Sequence, residues 1–164
     1  ADCPLVCPML LTAVLAQWEA TPGLAYLGMG PGWPDGLGDY DLFTREALLT
    51  AHAEATDASD REHVSPWLWR YADRFPQALH LAPKSVREQG WPKLSVDTPE
   101  DLAYVETVAQ AVQAAHGPAF AWWQVLETIA CTPALWRAPG AMNAAYVTQV
   151  GGQTWQEVRY GSAR

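Results

Sequence analysis

The sequence predicts an α/β fold, and three observations carry that expectation. Short apolar runs that read as strands, Leu24 to Met29, Asp41 to Phe43 and a stretch near His80, alternate with helical periods. Two aspartates end apparent strands, Asp2 in ADCPL and Asp97 in LSVDTPEDL, the place where open α/β sheets present ligand-binding side chains. The strand count is low for a complete domain, and ADCPLVCP opens with no element before it, so the expectation is one part of a larger fold.

A first helix is expected over Met9 to Ala20. Leu10, Leu11, Val14, Leu15 and Trp18 share a face there, and Thr21-Pro22-Gly23 supplies a stop. After the Leu24 to Met29 run, GPGWPDGLGD is a Gly- and Pro-dense loop of the kind that often carries function. Thr44 reads as the cap of a second helix carrying Ala47, Leu48, Ala51 and Ala55, ended by Asp57-Ala58-Ser59-Asp60. Ser65 is expected to cap a short helix from Pro66 through Tyr71, and Phe75 to Leu81 to lead into the strand near His80. Trp91 to Val96 reads as the strand before Asp97.

The clearest helix is Pro99 to Ala115, with Leu102, Val105, Val108 and Val112 on one side. Thr98 offers an N-cap oxygen, Pro99 fits the first helical position, and Glu100 and Asp101 favour the positive end of the helix dipole. Of the three carboxylates in this stretch, only Asp97 is left without a capping role. A helical pair follows, Ala121 to Ala130 and Pro133 to Tyr146, with Gly140 interrupting the second, and residues 151–164 read as a polar tail that frays.

A chain of 164 residues with 49% hydrophobic and 17% charged residues is one domain's length and buries a real core. Its net charge of -8 excludes a duplex nucleic-acid binder, which needs a basic face for phosphates. A chain this acidic that handles nucleotides needs a divalent cation to offset charge. No apolar run reaches the length of a membrane span and the first residues lack a signal peptide's basic start, so no membrane partner and a cytoplasmic location are expected. Cys3, Cys7 and Cys131 have no paired-thiol spacing and read as buried thiols. His52, His63, His80 and His116 lack ligand spacing, and the nine tryptophans read as core or interface.

Four motifs then occur in a recognisable order: DCPL, PDG followed by DYDLF, REHVSPWL, and VDTPEDL. Their order and gaps resemble the cytidylyltransferases related to spore coat polysaccharide biosynthesis protein F, a family akin to the synthetases of CMP-activated acidic sugars. The resemblance runs through Leu135, with FAWWQVLETIACTPAL similar to a helical C-terminal segment, and continues loosely to Asn143. It implies the C-terminal part of a nucleotide-diphospho-sugar transferase, Rossmann-like fold. Residues 1–116 would belong to the nucleotidyltransferase domain, 117–150 to a helical extension and 151–164 to a flexible tail.

The resemblance also implies roles. Asp2 and Asp97 match the strand-end aspartates that bind Mg²⁺ in the related synthetases, with Ala1 in place of the family's glycine. Pro34, Asp35 and Gly36 match the loop before an acidic pair, here Asp39 and Asp41, with one apparent extra residue and an aspartate where a glutamate is usual. Arg61, Glu62 and His63 match an Arg-Glu-His segment that would orient the sugar or its carboxylate; the alternative is a surface pair of Arg61 with Glu62 and a turn-bonded His63. The implied reaction is Mg²⁺-dependent transfer of CMP from CTP to an acidic or amino sugar for surface polysaccharide or glycan synthesis. Nothing resembles the family's glycine-rich basic phosphate loop, so the chain by itself is expected to be a poor catalyst. The competing expectation is a non-catalytic binding or assembly module, its tryptophans covering a homodimer or partner surface.

Overall fold

The computed structural model describes residues 2–30 and 32–138. In chain order the helices are α1 (Pro8–Ala20), α2 (Arg45–Glu54), α3 (Ala58–Glu62), α4 (Val64–Arg70), α5 (Lys84–Arg87), α6 (Pro99–His116) and α7 (Trp122–Cys131). The strands are β1 (Tyr26–Met29), β2 (Asp41–Phe43) and β3 (Gln77–His80), and a 3₁₀ turn covers Pro133–Leu135. The described residues fall into two compact units, one of residues 2–15, 32–39 and 83–138, the other of residues 16–30 and 40–82.

In the second unit the expected α/β mixture is present, with a sheet ordered β2-β1-β3. β1 pairs antiparallel with β2, setting Gly28 opposite Asp41, and parallel with β3 from Tyr26↔Gln77 to Met29↔His80. α2 begins as expected: the Thr44 side chain accepts the Ala47 N–H, and Ala47 and Ala51 turn inward. Tyr26, Ala47, Ala51, Ala55, Trp67, Leu68, Trp69 and Phe75 form the core, with Ala25, Phe43 and Leu79 packed against it.

The first unit buries Leu5, Cys7, Leu10, Val14, Leu37 and Leu94 together with Val105, Val108 and Val112 of α6 and Val125, Leu126 and Ile129 of α7. Thr98 caps α6 and Glu100 and Asp101 lie in its first turn, as expected; Asp101 also returns the bond to form a reciprocal capping box. Within the N-terminal half of α6 Tyr104 donates its hydroxyl to Leu135 O at 2.8 Å, tying the helix to the 3₁₀ turn.

Several expectations are corrected. Trp91 to Val96 is not a strand: Pro92 has no N–H to give, and only Leu94 and Val96 donate backbone bonds, to Asp35 O and Asp2 O, each at 2.7 Å. Asp2 likewise ends no described strand. Asp57 starts α3 by accepting the Ser59 N–H, where the polar cluster was read as a stop. Ser65 lies inside α4, whose N-cap is His63, so it caps nothing. Leu102 is 47% exposed and Tyr104 is buried in its stead. Of the second C-terminal helix the described part is a 3₁₀ turn over Pro133–Leu135 with Trp136 to Ala138 irregular; Gly140, Asn143, Tyr146 and the tail lie outside the described residues. Cys131 is exposed and Cys3 half-buried, leaving Cys7 as the buried thiol. Among the described residues no helix is long and apolar enough to cross a membrane.

Candidate functional site

In the first unit the PDG loop is anchored through backbone. Pro34 and Gly36 are buried and Asp35 is exposed. Leu37 N–H closes a turn on Pro34 O, and Asp39 accepts the Gly36 N–H at 2.5 Å. Leu94 and Val96, two apart in the chain on either side of a bend at Ser95, each give a backbone N–H to a different partner. Leu94 takes the loop at Asp35 O and Val96 takes the chain start at Asp2 O. That pairing sets Asp2 beside Val96, the residue before Asp97, and so brings together two segments 95 positions apart.

Between the loop and the chain start lies Cys3. Its Sγ is 3.4 Å from Asp2 Oδ1 and 3.4 Å from Asp39 Oδ2, and a single S–H serves one of them at a time. Burial first, then Asp39 and Asp2, push the thiol far up, so it stays protonated as a donor to these acids.

Asp97 has a partner of its own. Lys93 Nζ lies 2.5 Å from Asp97 Oδ2 and 2.8 Å from Asp101 Oδ2. Asp101 Oδ2 also accepts the Asp97 and Thr98 N–H groups, each at 3.1 Å. Lys93 and these N–H groups hold the Asp101 carboxyl down to about 2, and the two carboxylates push Lys93 up. A carboxylate depressed in the folded state contributes stability above its unfolded pKa and loses it as pH falls through the folded value. Between about pH 4 and pH 2 the α6 N-terminus should therefore loosen, and Lys93→Met should flatten that part of an acid-unfolding profile. An unchanged profile in Lys93→Met would count against the ion pair.

In the second unit Asp41 accepts the Tyr26 hydroxyl at 2.5 Å on one oxygen and the Ser65 hydroxyl at 2.5 Å on the other. Burial and Asp41 push the Tyr26 phenol up, so it remains a donor. Arg61 is exposed and donates to His52 O and Ala55 O, capping the end of α2. Glu62 and His63 are exposed, and no described ion pair joins Arg61 to Glu62. Asp60 is buried and pairs with Arg70. A cavity of about 100 Å³ is lined by Leu48, Ala51, His52, Ala55, Asp60 and Arg61.

Of the residues singled out in the sequence, Asp2, Pro34, Asp35, Gly36, Asp39 and Asp97 thus fall in the first unit, and Asp41, Arg61, Glu62 and His63 in the second. Among the described residues, no three or more His, Cys, Asp or Glu side chains form a group able to hold a metal ion. Four polar partners were not foreseen: Cys3, Lys93, Tyr26 and Ser65. For Lys93 a signal existed, since it stands four residues before Asp97 and eight before Asp101. Tyr26 had none, because it reaches Asp41 only through strand register.

No protein-family model matches the chain, and no curated protein matches it. Among solved structures, the chain is similar to a cytidylyltransferase from Leptospira borgpetersenii serovar Hardjo-bovis (strain JB197), with a TM-score of 0.71 and 19% identity over 87% of this chain. The match spans 58% of that protein's chain. At this identity the likeness establishes a shared fold.

Proposed function

We propose that the chain is the sugar-side part of a nucleotidyltransferase of cytidylyltransferase type, in which a sugar hydroxyl attacks the α-phosphorus of CTP, releasing pyrophosphate and forming a CMP-sugar for glycan synthesis in the cytoplasm. The observation that carries this reading is the 0.71 TM-score to a cytidylyltransferase, joined to the ordered motifs. The Val96 N–H bond to Asp2 O supports it further, because it sets Asp2 and Asp97 on adjacent segments.

Asp2 and Asp97 are the residues we assign to Mg²⁺. The donor chemistry fits: carboxylates are hard oxygen ligands, and Mg²⁺ commonly takes one or two of them and completes its shell with water and substrate phosphates. A third protein ligand is therefore not required. Such an ion, when bound, neutralises phosphate charge at the reacting centre. Lys93 holds the Asp97 carboxylate in place by a single positive charge, and Asp39 fixes the loop through the Gly36 N–H. Pro34, Asp35 and Gly36 are the further residues of this unit that we assign to the sugar.

The test is isothermal titration of CTP in the presence of Mg²⁺ on the natural protein and on its Asp2→Ala and Asp97→Ala variants. Each variant should weaken Mg²⁺-dependent CTP binding about tenfold or more, a loss of roughly 1.4 kcal/mol. Equal binding in all three rejects the metal assignment. The competing reading, a binding or assembly module, is favoured by Trp123 and Trp136, which are 46% and 43% exposed. It predicts self-association or partner binding with no CTP uptake.

A further inference from the structure

We infer that Asp41 is a recognition carboxylate for an amino sugar, held in one orientation by the hydroxyls of Tyr26 and Ser65. This deepens the proposed function and rests on its premise that the protein takes a sugar.

The described carboxylates that form ion pairs are Glu54 with Arg74, Asp60 with Arg70, Glu88 with Lys84, and Asp97 and Asp101 with Lys93. Asp41 is anchored differently. Each of its oxygens receives one hydroxyl at 2.5 Å, and among the described residues neither pairs with a cation. Neutral donors orient a carboxylate without cancelling its charge, and each oxygen keeps a lone pair for another donor. Because Asp41 is exposed, that charge faces solvent.

The support beneath it is rigid. Tyr26 is 2% exposed, and its ring stacks on Phe43 at 6.5 Å and leans on Trp69 at 6.4 Å, which fixes where the phenol oxygen sits. Gly28 stands opposite Asp41 in the ladder, and a Cβ there would come within 2.1 Å of the Tyr26 hydroxyl. The glycine thus leaves the phenol its path to the carboxylate. An ammonium group offers charge-assisted N–H donors to this acceptor, a neutral hydroxyl offers a weaker one, and a sugar carboxylate is repelled.

Saturation-transfer NMR titrations of the full chain with D-glucosamine, D-glucose and D-glucuronate test the inference. Glucosamine should bind about tenfold more tightly than glucose, and glucuronate most weakly. Asp41→Asn should erase the glucosamine-to-glucose ratio. Tyr26→Phe and Ser65→Ala should each reduce it roughly threefold, and Ser65→Thr, which keeps the hydroxyl, should preserve it. A purely structural network would lower the unfolding midpoint of Tyr26→Phe and Ser65→Ala while leaving the ratio unchanged, and that result overturns the inference. So does glucuronate binding as well as glucosamine, or failure of wild type to bind any of the three. If Asp41→Asn does not fold, the ratio in Tyr26→Phe and Ser65→Ala decides. The CTP titration is separate: loss of CTP binding with glucosamine selectivity intact removes the nucleotidyltransferase reading alone.

Discussion

Gly36→Ala should destabilise the first unit by roughly 3 kcal/mol, with the urea midpoint as the readout. Two costs combine. At φ +85 an alanine enters the left-handed region, at about 1 kcal/mol. Its Cβ would lie 2.2 Å from both Leu94 C and Ser95 N, atoms of the backbone that cannot rotate aside. The PDG loop must then withdraw, and the 2.7 Å bond from Leu94 N–H to Asp35 O goes with it. Gly23 provides the control, because it has nearly the same φ, +87, in a turn with nothing within 4 Å of its would-be Cβ. Gly23→Ala should cost only the backbone part, about 1 kcal/mol. Equal midpoint shifts for the two variants would show that the close approach to Leu94 contributes nothing. Since that approach also positions the loop beside the segment leading to Asp97, Gly36→Ala should weaken Mg²⁺-dependent CTP binding as well.

Leu68→Ala should remove about 3 kcal/mol, within the 2–5 kcal/mol spread of buried leucine truncations. The side chain is fully buried among Tyr26, Trp67, Trp69 and Phe75. Its neighbourhood joins α4 to the sheet, because Gln77 Nε2 donates to Leu68 O at 2.5 Å. Emptying the space should loosen the ring contacts that set Tyr26, so hydrogen exchange in β1 and β3 should accelerate. Leu49→Ala, at a site 47% exposed, should change stability by no more than about 0.5 kcal/mol. Similar losses at the two positions would mean that the aromatic core does not depend on Leu68.

What could be read from the sequence was local. Asp41 to Phe43 is a strand, Thr44 caps α2 and Thr98 caps α6, because each signal lies within a few residues of what it governs. Misreadings arose where one residue type serves two ends. Asp57-Ala58-Ser59-Asp60 carries both a stop and a start signal, and the start prevailed because Asp57 finds the Ser59 N–H. Ser65 looked like a cap, yet its hydroxyl is drawn to Asp41, 24 residues earlier. Trp91 to Val96 is as apolar as a strand, but with Pro92 in it the segment forms isolated bonds and no ladder. In the candidate site, Asp97 was legible as the carboxylate outside the cap. The Lys93 charge that occupies it lies four residues earlier, outside the capping pattern that singles out Asp97. The partition of Asp39 and Asp41 between the two units had no local signal, since they are two residues apart in the chain.

One contact bears on how the protein behaves in concentrated solution. β3 is the outermost described strand on its side of the sheet, and the Gln17 side chain of α1 sits against it, donating to Leu79 O at 3.2 Å and meeting His80 Nδ1 at 2.7 Å. A neighbouring molecule seeking to extend the sheet would first have to evict that amide. Gln17 thereby covers part of an edge that a second strand would otherwise pair with, one of the ways in which sheets avoid strand-to-strand aggregation.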